Sequence, residues 1–263
     1  MTSVLPESTG RCEWKSSGWE YVAYGSENNP VVQWQLKIEL VREAISIPMM
    51  VLKEDHRSKV SLIELEGSRF VIKEFILQKT WWWFKLTSVA FPTIGQIACA
   101  NAIGLNEAGL LTPQPVLLMQ RRRWGMAVES VLVYPYLEGK AATVSDANQI
   151  VNFVHKMHEA DWVHRDPHPA NFLKTTDGLA TIDPVRAMKS KGNYLKAYDV
   201  MLMEHDMPEA PELYGREHLG ILFTMAKWGH DFIRIYRMTK IGLRRCLGLG
   251  KSGSLMNSNN LED

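Results

Sequence analysis

The sequence predicts an α+β fold of two lobes, a small antiparallel-sheet N-lobe and a mainly helical C-lobe. Three observations lead there. From Ile47 to Phe75 apolar residues recur with period two, in short runs parted by polar turns. From Ala147 onward they recur with the spacing of helices. Between these regions, Val133-Tyr134-Pro135-Tyr136-Leu137-Glu138-Gly139 leaves a strand-like run and reads as the hinge. The N-lobe is expected over 18–137 and the C-lobe over 138–249, with disordered ends at 1–17 and 250–263.

The elements follow in order. Trp19 to Tyr24 reads as a strand, and Asn29-Pro30 opens a helix that runs to about Ala44. Met49 to Leu52, Val60 to Glu66 and Phe70 to Phe75 form an antiparallel meander. Trp81-Trp82-Trp83 cannot all face one core from a regular element, so at least one is expected on the surface. Pro92 opens a helix that ends at Gly109, and a second hairpin turns at Arg121-Arg122-Arg123. Asp146 with Gln149 resembles a capping box for a helix over Ala147 to Ala160. A last helix is expected from Glu217 to about Arg245, with a basic end suited to an anionic membrane surface.

Composition narrows the function classes. With 263 residues, 46% hydrophobic and 22% charged, the chain is an ordinary globular protein with room for two modest lobes. A net charge of +1 gives no global field for nucleic acid. Cys12, Cys99 and Cys246 lie far apart without CxxC, which predicts reduced thiols in a cytoplasmic protein. No signal peptide follows Met1, and Leu86 to Leu105 is too broken for a membrane span.

The chemistry concentrates in His164-Arg165-Asp166-Pro167-His168-Pro169-Ala170-Asn171, followed by Asp183. Asp177-Gly178 is a hairpin turn that returns this second Asp to the loop. Phosphoryl transfer from ATP needs a carboxylate beside the acceptor hydroxyl and oxygen ligands for Mg²⁺. In the protein-kinase signature the first Asp is the base, and the Asn and the later Asp hold metal. Asp166, Asn171 and Asp183 stand in that order. Lys73 lies within Val71-Ile72-Lys73-Glu74-Phe75, where a strand lysine reaches the α- and β-phosphates. Tyr136 lies in the hinge whose backbone would meet adenine. The turn over Lys53 to Lys59 has no glycine, and Arg57 or Lys59 stands either over the phosphates or in solvent. The histidines 155, 158, 164 and 168 form no HExxH and predict no zinc site; His164 is expected beneath the loop.

These residues, with Lys59-Val60-Ser61-Leu62-Ile63, Ile72-Lys73, Asp166-Pro167-His168, Asn171-Phe172 and Ile182-Asp183, resemble the lipopolysaccharide core heptose kinases. That family phosphorylates inner-core heptose at the cytoplasmic face of the Gram-negative inner membrane. The resemblance runs from about Trp19 to about Arg245. It implies a protein-kinase-like fold, ATP and Mg²⁺, a lipid-linked saccharide acceptor and peripheral membrane contact. It also implies Asp166 as catalytic residue, Lys73 as phosphate ligand, and Asn171 and Asp183 as magnesium ligands. Kinase-like folds usually pair the strand lysine with a helix Glu, yet no Asp or Glu lies between Pro92 and Asn106. Gln96 is the expected substitute facing Lys73. Asp183-Pro184-Val185 replaces D-F-G, and Arg186 can pair with a loop carboxylate. Ala210-Pro211-Glu212 is read as a coincidental A-P-E, since no D-x-W-x-x-G follows. A small-molecule kinase similar to the aminoglycoside phosphotransferases and a pseudokinase that only binds remain as alternatives; a likeness to the atypical ubiquinone-linked kinases lacks their K-x-G-Q.

Overall fold

The computed structural model describes residues 10–16, 18–25, 31–76, 80–215 and 219–246. In the first half, β1 (Gly10–Ser16), β2 (Trp19–Gly25) and α1 (Val31–Ser46) precede the meander β3 (Met50–Glu54), β4 (Ser58–Leu65) and β5 (Ser68–Phe75). Helices α2 (Trp82–Thr87) and α3 (Ile94–Glu107) and the hairpin β6 (Leu117–Arg123) and β7 (Met126–Pro135) complete the N-lobe. All seven strands form one antiparallel sheet in the order β1-β2-β6-β7-β5-β4-β3.

Period two sorts this sheet's side chains between two helices. Leu117, Val131 and Val133 pack with Ile38 and Val41 of α1. Their neighbours Leu118 and Leu132 pack on the other face with Ala98, Cys99 and Ile103 of α3. Helix α3 begins at Thr93, whose hydroxyl accepts the Gln96 amide while the Gln96 side-chain oxygen accepts the Thr93 amide.

The C-lobe opens with β8 (Lys140–Ala141), α4 (Ala147–Glu159) and β9 (Trp162–Val163). The loop hairpin β10 (Phe172–Thr175) and β11 (Gly178–Thr181) and the short β12 (Met188–Lys189) follow. Helices α5 (Asn193–Asp206), α6 (Ala210–Tyr214) and α7 (Gly220–Cys246) close the lobe. Ile150, Val154 and Met157 of α4 are fully buried against Val200 and Met203 of α5 and Phe223 of α7. The fold is therefore α+β and two-lobed, as the periodicities predict.

Three local expectations are corrected. Residues 10–16, expected within a disordered start, form β1, because they pair along the whole of β2 and Trp14 stacks on Tyr21 at 5.1 Å between centroids. Arg121, Arg122 and Arg123 are strand rather than turn. The turn is Trp124-Gly125, both left-handed. Asp146 does not cap α4; it closes a box with Thr143 and pairs with Lys174 at 2.8 Å, which holds its carboxyl below the usual range. Ala210-Pro211-Glu212, read as a coincidental A-P-E, starts the short helix α6. The expected disordered tail, 250–263, lies outside the described residues.

One close approach joins the lobes. A Cβ on Gly104 of α3 would sit 2.6 Å from the Trp162 ring on β9. Gly104→Ala is expected to cost about 1–3 kcal/mol of stability through overpacking, read as a lower melting temperature. An unchanged melting temperature would show that the ring moves aside freely.

Candidate active site

The loop between β9 and β10 is held from below by a buried carboxylate. Asp199 of α5, with no exposed surface, accepts the backbone amides of His164 at 2.7 Å and Arg165 at 2.6 Å. Arg165 lies at φ 62, a conformation that costs a non-glycine residue about 1–3 kcal/mol unless its surroundings impose it. The two amides that lead into that residue are fixed on one carboxylate, which holds it there. Asp199 also faces His158 Nε2 at 3.0 Å, while His158 Nδ1 lies 2.7 Å from the Tyr214 hydroxyl. Burial pushes the Tyr214 hydroxyl up to about 12, so it keeps its proton and donates to Nδ1. His158 Nε2 then carries the proton toward Asp199.

Further bonds fix the loop's upper half. The Asp166 carbonyl accepts the His168 amide at 2.8 Å and the Asn171 side-chain amide at 2.9 Å. The Asn171 carbonyl accepts the Ile182 amide at 3.0 Å, which sets the second acidic segment beside the first. His164 is buried beneath, as expected, with Nε2 2.9 Å from the Thr181 hydroxyl. Burial pushes its imidazole below the ordinary 6.5.

Lys73 is 7% exposed and its ammonium lies 2.6 Å from Asp183 Oδ1. This pair crosses from the sheet to the C-lobe. Lys73, Asp166, Asn171 and Asp183 line one cleft of about 330 Å³, roofed by Lys53 and Arg57 of the β3–β4 turn. Of the two candidate covering residues, Arg57 therefore stands here, whereas Lys59 lines a different cavity under α1. Arg186 Nη1 lies 3.8 Å from Asp166 Oδ2, the loop pairing expected for it.

A second space of about 330 Å³ adjoins the first and shares Lys73, Asn171 and Asp183 with it. Its walls are apolar: Val60 and Val71 from the sheet, Leu173 and Ile182 from the C-lobe, Tyr134 and Leu137 at the back. An apolar slot ending in a cation and carboxylates suits a flat base with charged phosphates beyond it. Tyr136 lines this slot, yet its amide is donated to the Arg69 carbonyl at 2.9 Å and its ring lies under the Arg69 guanidinium. Any contact with a base falls to its ring or carbonyl.

Gln96 is a correction. Its side-chain oxygen is used in capping α3, 2.9 Å from the Thr93 amide, and Lys73 finds its partner in Asp183. What ties α3 to the cleft is Asn101, which sequence reasoning missed. Its side-chain amide points at the carbonyls of Ala187 at 2.6 Å, Pro184 at 2.9 Å and Val185 at 3.4 Å. Asp199 was also missed. The signal for it was a lone carboxylate among Ala197, Val200 and Met203 on a helix face that is otherwise buried.

The donor set fits a hard, oxygen-ligated cation. Asn171 spends its NH₂ on the Asp166 carbonyl, leaving its oxygen as the free acceptor, and Asp183 has a second carboxylate oxygen. No cluster of three or more His, Cys, Asp or Glu with metal-binding geometry occurs among the described residues. A magnesium ion here would take its remaining ligands from phosphate and water.

A strand lysine, a loop Asp and Asn and a returning Asp, converging where a sheet lobe meets a helical lobe, decide the architecture. The chain has a protein-kinase-like fold. Among solved structures, WaaP in complex with acyl carrier protein is similar at 16% identity and a TM-score of 0.48, over 76% of this chain and 95% of that one. The PknI kinase domain of Mycobacterium tuberculosis is similar at 15% identity and a TM-score of 0.38, over 61% of this chain and 72% of that one. No protein-family model matches the chain, and no curated protein matches it in sequence. The chemistry is read from the cleft, not from these likenesses.

The buried imidazole gives a pH test. His164 is neutral in the fold, while the unfolded chain takes up a proton as pH falls through about 6.5. Its contribution is therefore complete above that pH and is lost as pH falls toward the lowered folded value. His164→Asn should flatten the fall of stability below pH 6.5 by up to about 1.4 kcal/mol per pH unit, read by denaturant unfolding. Parallel curves would place the acid sensitivity elsewhere.

Proposed function

We propose that the protein transfers the γ-phosphoryl group of ATP to a sugar hydroxyl of a lipid-linked saccharide, a heptose of the lipopolysaccharide inner core being the acceptor the sequence resemblance names. The observation that carries this reading is the convergence of Lys73, Asp166, Asn171 and Asp183 on one cleft continuous with an apolar slot. Phosphoryl transfer asks the protein mainly to position groups and stabilise charge.

Each residue has a role in that scheme. Lys73 turns its ammonium from Asp183 to the α- and β-phosphates. Magnesium, when bound, would supply neutralisation of the phosphate charge. Asp183 and Asn171 present oxygens to it from the two segments that the Ile182–Asn171 hydrogen bond holds together. Asp166 orients the acceptor hydroxyl and takes its proton, with Arg186 steering the carboxylate. Val60 and Leu173 hold the base between the lobes.

We further infer peripheral work at a membrane surface. No helix among the described residues is long and apolar enough to cross one. Trp81, Trp82 and Trp83 are 60%, 68% and 55% exposed, and Phe91 close by is exposed too. On α7, the exposed Ile221, Met225, Trp228 and Phe232 recur at helical spacing, a second apolar surface. The arginine strand contributes less than its sequence suggests, since Arg121 pairs with Glu129 and Arg122 with Glu20. The basic side chains at 234, 237, 240, 244 and 245 lie outside the described residues.

Two experiments test the proposal. Asp166→Asn should keep Mg·ATP affinity and lose transfer by at least about a hundredfold, the scale of general-base catalysis. Asp183→Ala should weaken magnesium-dependent nucleotide binding itself. Calorimetry with and without magnesium and labelled-phosphate transfer to core saccharide separate the two. Magnesium-independent ATP binding with no effect of Asp166→Asn would make the protein a binding module. Second, wild type should bind anionic vesicles, and Trp82→Ala with Trp228→Ala should reduce that binding severalfold. Indifference to vesicles at low salt would favour a soluble acceptor.

A further inference from the structure

Asp166 stands at the border of two spaces. One is the cleft with Lys73 and Asp183. The other, of about 760 Å³, lies between the loop and helices α5 and α7. Transfer in line requires the acceptor to approach from the side of the base away from the nucleotide. The second cavity is lined by Asp166 but not by Lys73 or Asp183, which leaves it open to an acceptor, and its volume is in the usual range for a small-molecule site, about 300–1,000 Å³.

Its lining chooses among acceptors. Glu204 and Asp206 come from α5, Asp231 from α7 and Asp166 from the loop: four carboxylates against one ammonium, Lys227. Lys227 is already paired with Glu204 at 2.8 Å. Asp231 makes no ion pair or hydrogen bond with any described residue. The remaining polar groups are imidazoles. His168 accepts the Ala170 amide on Nδ1, so the proton of its neutral ring sits on Nε2, 3.6 Å from Asp206. His205 and His230 complete the wall, with His230 Nδ1 3.4 Å from the Tyr198 hydroxyl. Among its described lining residues such a surface offers many acceptors and few positive charges. It suits the hydroxyl and amine donors of a sugar and repels a phosphate or carboxylate.

We propose that this cavity is the acceptor subsite, and that it takes a saccharide unit that is uncharged or amine-bearing and carries no anion of its own. The inference rests on the kinase reading, and it deepens that reading: on a lipid-linked saccharide, the reacting ring enters here while anionic groups elsewhere on the chain stay outside. Asp206 and Asp231 are its selectivity residues.

The test uses the full chain with magnesium and a non-hydrolysable ATP analogue. Calorimetry compares neamine, methyl α-mannoside, glucuronate and glucose 6-phosphate. Neamine and the mannoside should bind at least about tenfold more tightly than either anion. Asp206→Asn and Asp231→Asn should each shrink that gap severalfold while Mg·ATP affinity, the check on the fold, stays unchanged. Equal or tighter binding of an anion overturns the proposal, as does a ranking that neither variant moves. So does failure of all four probes to bind a protein that still binds Mg·ATP; the kinase reading survives each of these results. Loss of magnesium-dependent ATP binding with the sugar ranking intact would instead sink the kinase reading and leave a saccharide-binding cavity.

Discussion

An ammonium buried in a sheet must have a counter-charge, and Lys73 finds its own in the other lobe. Its strand neighbours, Val71 and Ile72, are buried, and α3 carries no acidic residue before its last position, Glu107. The pair with Asp183 therefore spans 110 residues of sequence and fixes where the C-lobe meets the sheet. Left without that partner, the buried charge would be strongly unfavourable. Under the proposed function, phosphate would take the place of Asp183 beside Lys73, and Asp183 would be freed to hold a cation. Exchange of partners keeps both charges compensated throughout.

The second constraint is backbone rather than charge. A loop that must hold Asp166 upright bends at Arg165 into a conformation that residue disfavours. The cost is met by Asp199, whose oxygens accept the two amides that lead into the bend, and by His158, which completes that carboxylate's hydrogen bonding and is itself held by Tyr214. Buried carboxylates are tolerated where their lone pairs are filled. Helices α4 and α5 thus do more than build a core: their packing places His158 and Asp199 under the loop.

Much of this was legible in the sequence because the decisive signals are local. Order and spacing carry the loop from His164 to Asp183, period two carries the meander, and Asp177-Gly178 carries the hairpin. What escaped depends on contacts distant in sequence. Gln96 read as a partner for Lys73 because it was the nearest polar group on the helix; three residues after Thr93, it is equally the last member of a capping box, and the local bond prevails. Asn101 and Asp199 act on backbone 83 to 86 and 34 to 35 residues away, a relation that no spacing rule encodes. Strand β1 was missed for a related reason: a polar segment becomes a strand when a neighbouring strand supplies its ladder.

The departures from the protein-kinase pattern then form one set. Where a helix carboxylate would hold the strand lysine, α3 uses the Asn101 amide to hold the backbone after Asp183. Where a glycine would let that backbone turn, Pro184 restricts it at the first position of a short 3₁₀ turn. Asp183 is therefore held by Lys73 through its carboxylate and by Asn101 through the residues that follow, with a proline between. Gly104 brings α3 directly against Trp162, so the helix has no room to move closer to β9. A cleft restrained in this way gives up the bistable segment on which switching depends. Under the proposed function, its output is set by what enters the two spaces that Asp166 borders.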